Sequence, residues 1–242
     1  MSDWLVVFLA ALITAVATGL GALPFLFIRA VSPQIVAYAN AIAAGLMMGA
    51  SFGLVAEGTG YGASQTVTGG VVGVIFLLLT QRYLAGHDVE FGGITGAGAR
   101  QMILVIIVMT VHSFSEGVAV GVSFGGGTAL ATVITVAIAV HNIPEGLAIS
   151  AVLRPKGQSV ARCAGWSIFS SLPQPLMAVP AFLFVEAVRP ALPYGLGFAA
   201  GAMVFMVLGE LLPEAYGQAR KPVVATLASA SIVAMVVFQQ YI

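Results

Sequence analysis

Two short segments of the chain carry side chains able to hold a cation. One reads Val111-His112-Ser113-Phe114-Ser115-Glu116-Gly117, the other Val140-His141-Asn142-Ile143-Pro144-Glu145-Gly146. Aligned over ten residues, Val111–Val120 and Val140–Ile149 share Val, His, Glu, Gly and Ala, so H-x-x-x-E-G is repeated. On a helix, residues i and i+4 lie on one face about 6 Å apart, so His112 meets Glu116 and His141 meets Glu145. Two imidazoles and two carboxylates are borderline N/O donors that suit Zn²⁺ and also admit Fe²⁺, Mn²⁺, Co²⁺ and Cd²⁺. The alternative is a buried His–Glu hydrogen bond that ties helices together. For one pair the two readings are level. Two matched pairs favour the ion, because two carboxylates stay ionised in a dry core only against a cation.

The elements that position these residues follow from composition. Of 242 residues, 60% are apolar and 7% charged, nine basic and nine acidic, with net charge zero. Soluble domains carry about 25% charge, and the mean hydropathy here is +1.05. Such a chain cannot coat a water-facing surface, which excludes a soluble enzyme, a disordered chain and a basic nucleic-acid binder. The single cysteine, Cys163, excludes an intramolecular disulfide framework and multi-cysteine metal sites.

The apolar runs are long and unalternated, so they read as transmembrane helices of about 20 residues rather than barrel strands of about ten. An all-α integral membrane fold of eight spans is expected, one transporter-sized domain over residues 1–242. The spans are placed at Trp4–Ile28, Ile35–Val55, Val67–Tyr83, Gln101–Phe124, Ala129–Leu153, Val160–Val185, Ala191–Ala215 and Val223–Tyr241. The longest loop, Leu84 to Arg100, is Gly-rich and carries His87, Asp88 and Glu90. The first span has no basic residue ahead of it and exceeds the apolar core of a cleaved leader, so it reads as a retained helix. With the N-terminus outside, the inner loops and helix ends hold Arg29, Arg82, Arg100, Arg154, Lys156, Arg162, Arg220 and Lys221, leaving Arg189 alone outside. That bias places both termini on the extracytoplasmic side.

Depth brings the two motifs together. His112 lies twelve residues past Arg100, about 18 Å along a helix and near mid-bilayer. His141 is twelve residues into the next span, which enters from the other face, so the metal site is expected between the fourth and fifth spans at mid-bilayer. Ionisable groups at that depth cost about 2.5–3.5 kcal/mol each and are functional by default. Proline adds to this. Pro144 cannot donate to Val140, and Pro173 and Pro175 likewise free the carbonyls of Phe169 and Ser171. Broken backbone at membrane depth is tolerated where it lines a cavity, and Gln174, between the last two prolines, is again at mid-depth. A packing kink is the alternative for any one proline.

At these residues the chain resembles the ZIP (Zrt/Irt-like) family of divalent metal transporters, whose fourth and fifth helices carry paired signatures similar to His112-Ser-Phe-Ser-Glu-Gly and His141-Asn-Ile-Pro-Glu-Gly. The resemblance extends over the eight spans. Met47 matches a position where the family often has a methionine near the metal. Ser170-Ser-Leu-Pro-Gln-Pro175 resembles the sixth-helix motif, and Gly209–Glu214 the end of the seventh. It implies a homodimeric carrier moving Zn²⁺, Fe²⁺, Mn²⁺ or Cd²⁺ toward the cytosol, with helices one, four, five and six moving against two, three, seven and eight; the cell membrane is the default location, in the absence of a transit segment. Small-residue stripes at Ala41/Gly45/Gly49/Gly53, Gly69/Gly73 and Gly197/Gly201 permit such sliding, and equally permit static close packing. Some members hold a second metal through additional polar or acidic groups on helices four to six. The matching positions here are Ser113, Asn142 and Gln174, none charged, so one tight ion bridged by Glu116 and Glu145 is expected.

Loading needs deprotonated Glu and neutral His, which predicts proton release on binding. Glu57 at the outer end of the second span, and Glu210 and Glu214 near the inner end of the seventh, are candidates for staging the ion or for helix-end anchors. Glu186 and Arg189 read as solvated charges at an outer turn. A different class, an intramembrane hydrolase or di-metal oxidase, would use the same His/Glu cluster. The absence of H-E-x-x-H and a total of three histidines count against it.

Overall fold

The computed structural model describes residues 3–28, 32–85 and 97–241. His87, Asp88 and Glu90 lie outside them. The described residues form helices and no strand: α1 Asp3–Leu20, α2 Pro33–Ala85, α3 Ala97–Gly125, α4 Thr128–Leu153, α5 Val160–Ser170, α6 Pro173–Ala187, α7 Leu192–Met206, α8 Leu212–Gln218 and α9 Lys221–Phe238. Among them, six stretches are long and apolar enough to cross a bilayer: Asp3–Leu26, Pro33–Thr80, Thr128–Leu153, Val160–Ala187, Arg189–Gln218 and Lys221–Phe238. Large apolar side chains on their outer faces, among them Ile13, Val67, Leu79, Leu176, Phe184 and Val233, are exposed, as lipid-facing residues are.

The second stretch is twice the length of one crossing because α2 contains two of the expected spans. Gly62 leaves helical geometry, with φ 173° and ψ 107°. Before it, Ala37 and Ala41 cluster with Ala215, and Gly58 lies against Leu196. Rising numbers on α2 thus meet falling numbers beyond it, an antiparallel course. After Gly62, Gly69 and Gly73 lie on Tyr194 and Phe198, and Thr66 and Gly70 on Gly197 and Gly201, a parallel course. The chain therefore doubles back at Gly62, and its two limbs are 33–61 and 63–85.

The sixth expected span is broken instead of kinked. α5 ends at Ser170 and α6 begins at Pro173, and the carbonyls that the prolines leave without an i+4 donor accept tighter i+3 bonds, Leu172 N–H to Phe169 at 3.2 Å and Gln174 N–H to Ser171 at 3.0 Å. In the seventh, a single π-helical stretch, Val207–Leu211, joins α7 to α8 just ahead of Pro213, where the Gly209 carbonyl has no i+4 donor.

The helices pack as two groups. α1 lies against α4, α5 and α6, and α3 against α4 and α6, whereas α2 lies against α7, α8 and α9. The groups meet where α2 faces α4 and α3 faces α7. The small-residue stripes are all inside the second group: Gly45 and Gly49 take up Ala228 and Met235 of α9, Gly53 takes up Gln239 just past its end, and Gly69/Gly73 and Gly197/Gly201 join the second limb of α2 to α7. They hold helices of one group in close contact.

Candidate metal site

Each Glu of the repeat is followed by a glycine, and that glycine sets where the Glu stands. A methyl on Gly117 would lie 2.5 Å from the Gln174 carbonyl oxygen, and one on Gly146 would run into the Thr18 carbonyl. α3 is thereby drawn onto α6, and α4 onto α1. The result is a polar centre without contact to solvent: Glu116 and His141 are 0% exposed, Glu145 3%. Ligand atoms of these three lie within 4.8 Å of one another. His141 Nε2 is 2.6 Å from Glu116 Oε1 and 4.0 Å from Glu145 Oε1. The second contact is the i,i+4 pairing on one helix face. The first crosses between α3 and α4, as the repeat at matched depth requires.

Around this core is a second ring of neutral polar groups. Gln174 stands in the first turn of α6 because the helix restarts there, and its Nε2 donates to Glu116 Oε2 at 2.6 Å. Its Oε1 accepts from Thr14 Oγ1 at 2.5 Å and from Asn142 Nδ2 at 3.2 Å. Asn142 Nδ2 also donates to the Thr14 carbonyl at 2.8 Å. One turn on, the hydroxyls of Thr18 and Ser171 are bonded at 2.8 Å.

Of the residues expected from sequence, Glu116, His141, Glu145, Asn142 and Gln174 are thus brought into one network. The His112 backbone lies one turn before Glu116 on α3, and its side chain is outside the described residues. Ser113 is buried on the same helix. Met47 is fully buried in the main apolar cluster with Ala44, Ala119, Val120 and Ile138. Glu186 and Arg189 form an exposed pair at 2.7 Å, and Arg189 also donates to the Gly125 carbonyl at the end of α3. Glu214 accepts a bond from Gln218 within α8. Thr14 and Thr18 were missed in the sequence, although two threonines four apart in an otherwise apolar span are a signal of a polar face turned inward.

The chain matches the family model for ZIP zinc transporters over residues 85–237, which takes in both His/Glu motifs and the broken sixth helix. The chain belongs to the ZIP zinc transporter family. Among ZIP relatives, the Myxococcus xanthus zinc transporter GufA is 31% identical over 226 residues, covering 86% of this chain and 87% of the relative. The Bordetella bronchiseptica zinc transporter ZIPB is 33% identical over 216 residues, 83% of this chain and 69% of its own. An Arabidopsis thaliana protein whose name assigns it to zinc transport is 48% identical over 231 residues, 94% of this chain, yet this chain spans only 37% of that protein. ZIP relatives are named as transporters and not as enzymes, which sets aside the hydrolase and oxidase reading.

Proposed function

We propose that the chain moves divalent transition-metal cations, Zn²⁺ foremost, across the bilayer toward the cytosol by alternating access. The observation that carries this reading is the fully buried Glu116–His141–Glu145 cluster between α3 and α4. The same N/O set admits Fe²⁺, Mn²⁺ and Cd²⁺. We assign His112, four residues before Glu116, to the ligand set, with Ser113 and the Met47 thioether as further candidate ligands. No catalytic cofactor is involved, and the metal is cargo.

The reversal at Gly62 and the break between α5 and α6 support eight crossings, with each limb of α2 spanning once and α5–α6 spanning as a pair. The placement of eight of nine basic residues supports outward termini, and the cell membrane is the location we assign to this multi-pass chain. A homodimer is what the family resemblance implies. The division into α1/α3/α4/α5/α6 and α2/α7/α8/α9 supports two bodies that exchange access, with the site inside the first.

The His141–Glu116 contact bears on proton linkage. Nitrogen and oxygen at 2.6 Å share a hydrogen, whereas two zinc ligands at about 2.1 Å in tetrahedral array stand about 3.4 Å apart. The ion therefore enters by parting this hydrogen bond, and Nε2 gives up its hydrogen either to Nδ1 of the same ring or to bulk; release to bulk is the proton linkage proposed here. The Glu116 and Glu145 carboxylates neutralise one dication. The test is zinc uptake into liposomes by the wild type and by His112→Ala and Glu145→Ala. Uptake lost in both variants is expected, and wild-type rates in both would end the carrier-site assignment.

A further inference from the structure

Asn142 and Gln174 read from sequence as extra metal ligands. A ligand must offer an oxygen, and the direction of the hydrogen bonds decides whether Gln174 does. The direction is anchored at a group that cannot change role. The Thr14 backbone carbonyl only accepts, so the Asn142 amide must turn its NH₂ toward α1, at 2.8 Å. The other hydrogen of that NH₂ goes to Gln174 Oε1 at 3.2 Å, and the one hydrogen of the Thr14 hydroxyl is shared between the same oxygen at 2.5 Å and the Ala11 carbonyl at 2.7 Å. With its oxygen engaged on the α1 side, Gln174 has only Nε2 left to face the cluster, and Nε2 donates to Glu116 Oε2 at 2.6 Å. All four groups are fully buried, so water offers no substitute partners.

We propose that Thr14, Asn142 and Gln174 are positioning residues: a relay of fixed hydrogen-bond polarity that turns the Gln174 N–H toward Glu116 and keeps the Gln174 oxygen on the α1 side, away from the ion, while Asn142 Oδ1 is buried without a hydrogen-bond partner among the described residues. This rests on the transport reading above and sharpens its site. The relay satisfies Glu116 Oε2 with a neutral donor where a second cation would otherwise sit, and leaves Oε1, on the His141 side, to receive the cargo. An N–H aimed into the site repels a cation, so the one-ion capacity expected from the missing third carboxylate is also built into the hydrogen-bond direction. Thr14, on a helix without any ionisable ligand, thereby controls the site through Gln174.

Radiozinc equilibrium dialysis on the purified full chain tests the relay through three variants. Thr14→Val keeps the shape and removes the hydroxyl donor; zinc binds about tenfold more weakly at one ion per chain, and Thr14→Ser recovers binding to within about twofold. Gln174→Glu replaces the donor by a third carboxylate, and the stoichiometry rises from one ion to two. If Thr14→Val and Gln174→Glu both bind one zinc as the wild type does, the relay is overturned. If the wild type binds no zinc at all, it is the transport reading that fails. Zinc absorption-edge spectra of the wild type supply an independent readout: an unchanged first shell in Asn142→Leu supports positioning, and loss of one oxygen neighbour makes Asn142 a ligand and contradicts the proposal.

Discussion

Replacing Gly117 by alanine removes no ligand, so it separates the geometry of the site from its chemistry. The added methyl would lie 2.5 Å from the carbonyl oxygen of Gln174 and 2.8 Å from its Cα. Both are backbone atoms, and neither can rotate away. Ordinary contact begins at 3.4 Å, so α6 must retreat by about 0.9 Å, and the Gln174–Glu116 hydrogen bond stretches from 2.6 Å to about 3.5 Å, beyond useful reach. Overpacking costs about 1–3 kcal/mol, and a hydrogen bond to a charged group is worth about 1.5–3 kcal/mol. The better helix propensity of alanine returns about 1 kcal/mol. The expected net effect is a lower melting temperature and zinc binding weakened tenfold or more. Gly165→Ala is the control, since a methyl there meets nothing within 4 Å. Thermal melting in detergent and radiozinc dialysis of both variants decide the matter. Equal affinities in Gly117→Ala and Gly165→Ala would refute the claim that close approach of α3 and α6 sets the site.

Protons compete with zinc for the imidazole and the carboxylates, so zinc affinity should fall as pH drops from 7.5 to 5.5; a flat titration would remove proton linkage. Glu116→Gln keeps the shape and loses one of two compensating charges, and should lower zinc affinity by at least a hundredfold in dialysis, with wild-type binding counting against bridging by the two carboxylates. Met47→Leu conserves volume and should cost less than about 1.5 kcal/mol of stability while lowering the Cd²⁺-to-Zn²⁺ preference in competition uptake; an unchanged preference would assign Met47 to packing alone.

Much of the site was legible because charge is so scarce in the chain. Glu116 and Glu145 stand out against an apolar background, and the repeat of His four residues earlier ties two helices together at one depth. The glycine after each Glu was visible too, but its purpose, drawing α6 and α1 onto the ligand helices, depends on which helices become neighbours, and no local pattern encodes that. Thr14 escaped notice for the same reason: a threonine in an apolar span gains a role only when α1 meets Asn142 and Gln174. The end of α5 followed from Pro173 and Pro175, since a residue without an N–H cannot continue the ladder. The turn at Gly62 was legible as a boundary between two spans, yet helical geometry continues nearly to Gly62 on both sides. The small-residue stripes were ambiguous because spacing shows that backbones can approach closely and says nothing of which partner approaches.

The central claim is that one ion sits between α3 and α4, held by Glu116, His141 and Glu145. Anomalous X-ray diffraction at the zinc edge, on crystals of the zinc-loaded chain, tests it most directly. The account predicts a single strong peak per chain within about 2.0–2.2 Å of His141 Nε2 and a Glu116 oxygen, with the amide nitrogen of Gln174 still on the other Glu116 oxygen. A peak elsewhere, or two peaks of equal strength sharing Glu116 with the amide oxygens of Asn142 and Gln174, would contradict it.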